Sequence, residues 1–238
     1  MEGRTGGQTA ERAAALRSDR KAENNTMIRH IVFDYGHVLI RWDPDRIIAR
    51  LGVVGEDARL LRREVFDCSE WPALDRGTMT PEEALARMDH RLPAHLLGAA
   101  ERCVRDWWKD ELIWTEGIEE LIRELDGLGY KIYVLTNAAS SLHGYVGRLP
   151  AADCFRGMIV SADWKLLKPQ REIYETLFRQ YGLRPEECFF IDDNPMNIEG
   201  ARCAGMPGAV FFNDVARLRR ELIEAGIPVR APGSEGEK

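Results

Sequence analysis

The stretch His30-Ile31-Val32-Phe33-Asp34-Tyr35-Gly36-His37-Val38-Leu39 decides the fold of this chain. Its first residues form an apolar run long enough for a buried strand, and the run ends abruptly at the carboxylate of Asp34. A charge at the end of a central strand lies at the carboxyl edge of the sheet, where α/β folds bind their ligands. A buried charge is costly unless it is compensated, so Asp34 is a candidate for metal binding or catalysis. The alternative is an aspartate that merely caps a loop or a helix.

Further short apolar runs indicate strands, and amphipathic segments between them indicate helices. The runs lie at 131–136, 157–160, 188–191 and 208–212. Apolar residues repeat with helical spacing within 118–125 and within 173–181, and a glycine follows each segment. Short, continuously apolar strands that alternate with helices predict an α/β fold, a doubly wound domain whose parallel sheet is covered on both faces.

The segment that follows the first strand contains no obvious strand. Helices are predicted at 45–51, 56–66, 81–91 and 94–109. An all-helical insert at this point lies above the carboxyl edge of the sheet, where it can act as a lid over a site. We therefore predict a discontinuous core domain at 27–42 and 111–230 and a small all-helical cap domain at 43–110. A purely structural helical subdomain is the alternative.

The two ends of the chain differ from this folded part. Residues 1–26 are rich in Gly, Ala, Arg, Glu and Asn and have no apolar stripe, and residues 231–238 are polar. Both segments are predicted to be disordered tails that carry no function. Met27 directly precedes the first strand, so it stays open whether residues 1–26 belong to the native protein.

Composition limits the classes of partner. The formal net charge of −6 argues against nucleic acid as the main partner. The five cysteines are scattered and form no Cys-x-x-Cys pair, which indicates reduced thiols rather than disulfides or a zinc site. No apolar run approaches the roughly 18 residues that a membrane span needs. We expect a cytoplasmic protein, a monomer or a homodimer, with no membrane or nucleic-acid partner.

Polar residues follow several of the predicted strands. Asp34 ends the first strand, Thr136-Asn137 end the second, Asp192-Asp193 end the fourth, and Lys168 lies in the loop after the third. The carboxyl ends of parallel strands meet at one edge of the sheet, so these side chains should converge. Carboxylates, a hydroxyl, an amide and an ammonium together suit a divalent metal such as Mg²⁺ and a phosphate group.

In these residues the chain resembles the haloacid dehalogenase (HAD) superfamily, in its subgroup with a helical cap after the first strand. The resemblance covers residues 28–215 and rests on motifs in the expected order. They are Phe33-Asp34-Tyr35-Gly36-His37-Val38, Leu135-Thr136-Asn137, Lys168-Pro169 with Glu172-Ile173-Tyr174, and residues 190–201. Residues 75–80 also resemble the cap loop of this subgroup.

The resemblance implies a Rossmann-like core and a Mg²⁺-dependent phosphatase that acts on a small phosphorylated metabolite. Asp34 would attack phosphorus to give an aspartyl-phosphate, which water then hydrolyses. Mg²⁺ would be held by the carboxylate of Asp34, the backbone carbonyl of Gly36 and the carboxylate of Asp193, with Asp192 in a supporting position.

The resemblance also implies substrate contacts. Thr136 and Asn137 would contact the phosphate, and Lys168 would hold it and offset the charge that develops during transfer. The loop that carries Trp164 should border the site, so Trp164 is a candidate substrate-binding residue. Aromatic residues of the cap, Trp71, Trp107 and Trp108, either line a specificity pocket or form the core of the cap.

The chain departs from the superfamily pattern at Gly36, where most of its phosphatases carry a second Asp as general acid and base. Such a proton donor contributes about 10²- to 10⁴-fold in rate. Three explanations compete: a substrate with a good leaving group, replacement of the acid by His37 or a cap residue, or a binding or regulatory protein with weak turnover. The similarity of the Asp-x-Gly motif to sugar-1-phosphate phosphatases and to the N-terminal phosphatase domain of epoxide hydrolases favours the first, with a sugar phosphate as substrate. A 2-haloacid dehalogenase is less favoured, because Asp192 and Asp193 would repel its carboxylate substrate.

Overall fold

A five-stranded parallel sheet forms the centre of the molecule. The computed structural model describes residues 27–110 and 112–233, so the predicted tail at 1–26 and residues 234–238 lie outside the described residues. The strands are β1 (His30–Phe33), β2 (Lys131–Thr136), β3 (Phe155–Val160), β4 (Cys188–Asp192) and β5 (Gly208–Val210). Their order in the sheet is β3-β2-β1-β4-β5, and every neighbouring pair is parallel. The predicted parallel α/β fold is confirmed, with β1 at its centre.

Helices cover both faces of this sheet and form the insert. Those of the insert are α1 (Pro44–Arg50), α2 (Gly55–Leu61), α3 (Glu70–Arg76), α4 (Pro81–Asp89), α5 (Leu97–Arg105) and α6 (Trp107–Asp110). A π-helical turn, Arg62–Phe66, continues α2. The helices of the core are α7 (Ile118–Gly127), α8 (Ser161–Trp164), α9 (Arg171–Tyr181), α10 (Pro195–Cys203) and α11 (Val215–Glu224). Among the described helices, none combines the length and the apolar character needed to cross a bilayer.

The side-chain alternation of β1 explains why helices are needed on both faces. Successive side chains of a strand point to opposite faces. Ile31 and Phe33 belong to one buried cluster, which includes residues of α7 and α11. Val32 belongs to a second cluster, which includes residues of α9 and α10. All three are fully buried, so β1 has no polar face and ends in the interior of the molecule.

The insert has a hydrophobic core of its own. Ile48, Leu61, Met88 and Cys103 are completely or almost completely buried in a cluster whose buried residues all lie within 47–104. All regular structure between Pro44 and Asp110 is helical. The domain boundaries at 42/43 and 110/111 stay a prediction that this arrangement supports.

One cap helix was not predicted from the sequence. Residues 70–76 form α3, which contains Pro72 and lies between the helices predicted at 56–66 and 81–91. Pro72 is the third residue of the helix, where its missing N–H is not needed for an intrahelical hydrogen bond. Asp75 and Arg76 therefore end a helix rather than begin a loop, and Gly77 terminates it in the left-handed conformation (φ +71°).

The cap contains a buried ion pair that makes its stability depend on pH. Nη1 of Arg91 lies 3.1 Å from Oε1 of Glu70, whose side chain is only 5% exposed. Burial raises the pKa of Glu70, but hydrogen bonds with Arg91, Cys68 and the backbone, together with the charge of Arg91, outweigh burial and lower that pKa from 4.5 to about 2. A depressed carboxyl pKa stabilises the fold above the unfolded value, and the contribution is lost as pH falls towards the folded value.

We expect Glu70→Gln to be less stable than wild type at pH 7 by at most about 3 kcal/mol, since each pKa unit corresponds to about 1.4 kcal/mol. The difference should shrink as pH falls from about 4.5 towards 2. Denaturant unfolding at pH 7, 4 and 3 measures it, with the exposed Glu224→Gln as control. A difference that does not change with pH would show that Glu70 contributes through packing rather than through its charge.

Candidate active site

Lys168 joins two strand ends at the carboxyl edge of the sheet. Its Nζ lies 2.6 Å from Oδ1 of Asp34, directly after β1, and 2.6 Å from Oδ2 of Asp192, the last residue of β4. The lysine and Asp192 side chains are almost completely buried, and Asp34 is 7% exposed. Burial lowers the pKa of the Lys168 ammonium, but the two carboxylates outweigh it and raise that pKa above its usual value. The lysine is therefore a permanent cation in this site.

Asp192 is fully engaged by protein donors. Besides Lys168, Nδ2 of Asn197 donates to both of its carboxylate oxygens at 3.0 and 3.1 Å. The backbone N–H of Asn194 donates to Oδ1 at 2.8 Å. A carboxylate with this many donors is held rigidly. We infer that Asp192 positions Lys168 and the turn that begins α10.

The carboxylates of Asp34, Asp192 and Asp193 form a candidate metal site. Each offers an oxygen, and these oxygens all lie within 4.8 Å of one another. Burial raises the pKa of Asp34 to about 7; Lys168 opposes the change and the charges of Asp192 and Asp193 add to it. Burial and the charge of Asp192 also raise the pKa of Asp193. One ammonium does not balance three carboxylates, so the cluster is short of positive charge.

Asn137, which follows β2, fixes the loop of Lys168. Its Nδ2 donates to the backbone oxygen of Lys168 at 3.1 Å, and its Oδ1 accepts from the backbone N–H of Lys168 at 2.8 Å. This paired hydrogen bond sets the point from which the lysine side chain extends. Asn137 also borders the cavity described next. Its contact with substrate stays a prediction.

A cavity of about 560 Å³ lies between the cap and the carboxyl edge of the sheet. Of the predicted site residues, Asp34, Gly36, Asn137 and Asp193 line it. Thr136, Lys168, Asp192 and Trp164 are not among its lining residues.

These four residues lie outside the cavity wall. Lys168 and Asp192 lie behind Asp34, while Thr136 is buried at the end of β2. Trp164, at the end of α8, is 39% exposed and does not line the cavity. Substrate contacts by Thr136 and Trp164 stay predictions that this geometry does not support.

The wall of the cavity on the cap side is largely aromatic. Trp42, Trp71 and Trp107 line it, and the rings of Trp71 and Trp107 lie 5.4 and 4.4 Å from that of Trp42, centroid to centroid. All three are half-buried and also pack against the cap core. Trp108 does not line the cavity and stacks on Tyr145 at 4.6 Å. Trp71 and Trp107 thus line the cavity and pack against the cap core, whereas Trp108 packs against the core domain; a role in specificity stays a prediction.

Sequence reasoning missed several lining residues, among them Trp42, Arg105 and Tyr145. Because Trp42 follows the first strand and Asp34 closely in the sequence, it could have been predicted to lie near the site. Arg105 and Tyr145 carry no such signal, because they come from a cap helix and from a turn after β2.

The end of α3 is docked on the core at one point. Oγ of Ser161 donates a hydrogen bond to the backbone oxygen of Asp75, and Oγ also accepts a hydrogen bond from the backbone N–H of Ala138 at 2.9 Å. A Cβ on Gly77 would lie 2.2 Å from the carbonyl oxygen of Ala162. Only glycine allows this close approach together with a positive φ. The cap therefore touches the core next to the cavity.

The protein family that matches the sequence agrees with this site geometry. The haloacid dehalogenase-like hydrolase family matches residues 20–205, more than half of the chain. The chain belongs to this family.

Similar proteins differ in what they act on. This hydrolase is 27% identical over 194 residues to the sesquiterpene phosphatase astK of Aspergillus oryzae, covering 80% of this chain and 93% of that protein. It is 26% identical over 191 residues to a D-ribitol-5-phosphate phosphatase of Bacteroides thetaiotaomicron, covering 72% and 86%. A HAD family enzyme of Bacteroides thetaiotaomicron, crystallised with magnesium and inorganic phosphate, has a similar fold, with a TM-score of 0.62. The two sequences are 22% identical, and the match covers 80% of this chain and 98% of that enzyme.

Proposed function

We propose that this hydrolase is a Mg²⁺-dependent phosphatase that cleaves a small phosphorylated metabolite through an aspartyl-phosphate on Asp34. The observation that carries the proposal is the buried cluster at the strand ends. Asp34 is held by Lys168 on one carboxylate oxygen, and it faces a cavity large enough for a metabolite. The relatives named as phosphatases support the same reaction.

The residues of the cluster fit Mg²⁺. Their oxygens are the hard donors that this ion prefers, and the cluster lacks positive charge. Asp34 and Asp193 would hold the ion together with the carbonyl of Gly36, whereas the oxygens of Asp192 are already occupied by Lys168, Asn194 and Asn197. Bound Mg²⁺ would offset the charge of the phosphate and of the carboxylates, which lets an anionic nucleophile approach an anionic substrate.

The protein groups have distinct tasks in the proposed reaction. Oδ1 of Asp34 is engaged by Lys168, so Oδ2 is the oxygen available to attack phosphorus. A bond forms between Oδ2 and phosphorus while the bond from phosphorus to the leaving oxygen breaks. Water then attacks the same phosphorus, releases inorganic phosphate and restores the carboxylate. Lys168 keeps Asp34 oriented and favours its ionised form.

The lining of the cavity favours an organic group with apolar or aromatic surface. Trp42, Trp71 and Trp107 would contact this group, and a planar indole buries a large apolar area. Met79 and Leu74 extend the same wall. A sugar phosphate, expected from the Asp-x-Gly motif, stays a prediction that this lining does not favour.

Phosphate release from a panel of monoesters tests the proposed function. The panel contains prenyl, aryl, nucleotide and sugar monophosphates, each with Mg²⁺ and with EDTA. We expect release that requires Mg²⁺ and is restored when the ion is returned after EDTA. Release of halide from a 2-haloacid without metal would instead show a dehalogenase. Binding of phosphate compounds with no turnover of any would show a regulatory protein.

Truncation of Trp71 tests the assignment of substrate class. We expect Trp71→Ala to lower kcat/KM for a prenyl or aryl monophosphate about 10- to 100-fold, since burial of an aromatic side chain is worth about 1.5–3 kcal/mol. The value for acetyl phosphate, too small to reach the wall, should change less than about threefold. Trp114→Ala is the matched control, because Trp114 is 38% exposed and lies outside this cavity. Equal losses on both substrates would contradict the assignment.

A further inference from the structure

Asp75 is a carboxyl group that the proposed steps leave unused. It is in the last turn of α3 and lines the same cavity as Asp34 and Asp193. It therefore comes from the cap, whereas the metal cluster comes from the core.

Contacts with the core hold Asp75 in place. Its backbone oxygen accepts from Oγ of Ser161, and its carboxylate accepts from the backbone N–H of Ala139. Two residues later, Gly77 packs directly on the backbone of Ala162. The position of Asp75 relative to the core is thus set by hydrogen bonds on both its main chain and its side chain.

The surroundings of Asp75 favour its neutral form. Burial raises its pKa to about 8, the N–H of Ala139 opposes this, and the charge of Asp34 adds to it. In residues 27–110 and 112–233, no Lys or Arg side chain forms an ion pair with Asp75. Arg105 and His37 line the same cavity; Arg105 pairs with Glu82 at 2.7 Å. A carboxyl whose pKa is raised in this way is suited to donate a proton near neutral pH.

Because position 36 is a glycine, a proton donor for the leaving group has to come from another residue. Gly36 has no side chain that could protonate a leaving group, and Lys168 is engaged by two carboxylates. The alkoxide of an alkyl phosphate is a poor leaving group, because its negative charge is localised on one oxygen. A proton delivered as the bond breaks removes this barrier.

We propose that Asp75 is the general acid of the reaction: it donates its proton to the leaving oxygen as the phosphorus–oxygen bond breaks. The leaving group departs as a neutral alcohol, and Asp75 becomes a carboxylate. The water that hydrolyses the aspartyl-phosphate releases its proton to solvent, and Asp75 takes up a proton from solvent before the next turnover. The inference rests on the proposed phosphatase function and adds a catalytic residue from the cap.

Two substrates that differ in leaving group test this assignment. An alkyl phosphate needs protonation of its leaving oxygen, whereas 4-nitrophenyl phosphate releases a stabilised anion. We expect Asp75→Asn to lower kcat for the alkyl phosphate about 10²- to 10⁴-fold. For 4-nitrophenyl phosphate kcat should change less than about threefold. Asp89→Asn, an exposed carboxyl of the same cap, is the matched control and should leave both values unchanged.

Each other outcome has a definite meaning. Equal losses on the two substrates would overturn the assignment and leave Asp75 a structural residue. If Asp75→Asn does not fold, the dependence of wild-type kcat/KM on the leaving group decides, because kcat/KM reports the step in which the leaving group departs. A rate nearly independent of the leaving-group pKa supports a proton donor, and a steep dependence overturns it. No phosphate release from wild type with either substrate would refute the proposed function itself, which is a separate result.

Discussion

Replacing Asp34 by Asn is expected to abolish phosphate release. An amide oxygen is a far weaker nucleophile than a carboxylate, and loss of the nucleophile of a covalent mechanism costs about 10⁴- to 10⁶-fold in kcat. The variant should remain folded, because the amide removes one negative charge from a buried cluster that already holds too many. Steady-state phosphate release with Mg²⁺ measures the loss, and a thermal melt checks the fold.

Asp153→Asn is the control for this substitution, since the side chain of Asp153 is 71% exposed and is not among the residues that line the cavity. It should keep wild-type activity. Residual activity of Asp34→Asn within about tenfold of wild type would contradict nucleophilic catalysis by Asp34. Such a result would favour direct attack by water on the phosphate.

Replacing Lys168 by Met is expected to impair both stability and activity. Lys168 is the cation between two buried carboxylates, and its removal leaves Asp34 and Asp192 without their partner. Breaking a buried ion pair by deleting one partner costs about 3–5 kcal/mol. Without the lysine, Asp34 is also protonated more readily, so the fraction of ionised nucleophile falls. Denaturant unfolding and phosphate release measure the two effects.

Lys131→Met is the control for Lys168, because Lys131 is an exposed residue at the start of β2. It should change the free energy of unfolding by less than about 0.5 kcal/mol. A Lys168→Met protein as stable as wild type at pH 7 would contradict the ion-pair arrangement at the strand ends.

The core of the site was predictable because strand ends follow simple rules. The buried run before Asp34 and the run before Asp192 predicted parallel strands that end at the same edge of the sheet, and the structure places β1 and β4 side by side. Period-two alternation also predicted different roles for adjacent carboxylates. Asp192 is buried among protein donors, whereas Asp193 lines the cavity.

The cap side of the site could not be predicted in the same way. Helix α3 contains Pro72, and proline usually interrupts helices, so neither this helix nor the place of Asp75 in its last turn was predicted. Trp42 and Tyr145 come from places about a hundred residues apart in the sequence, and both rings contact Trp107 of the cap. Trp164 was expected at the site from the position of its loop, but loop position does not fix the direction of a side chain. Tertiary packing decided each of these cases.

Trapping the covalent intermediate tests the central claim most directly. Wild-type protein is mixed with a hydrolysed substrate and Mg²⁺, quenched and treated with borohydride, which reduces an aspartyl-phosphate to homoserine. Tryptic cleavage after Arg29 and Arg41 isolates the peptide with residues 30–41 for mass spectrometry. Homoserine at position 34, absent from Asp34→Asn and from protein without substrate, is the result that we predict. Rapid phosphate release with position 34 unmodified would contradict the account.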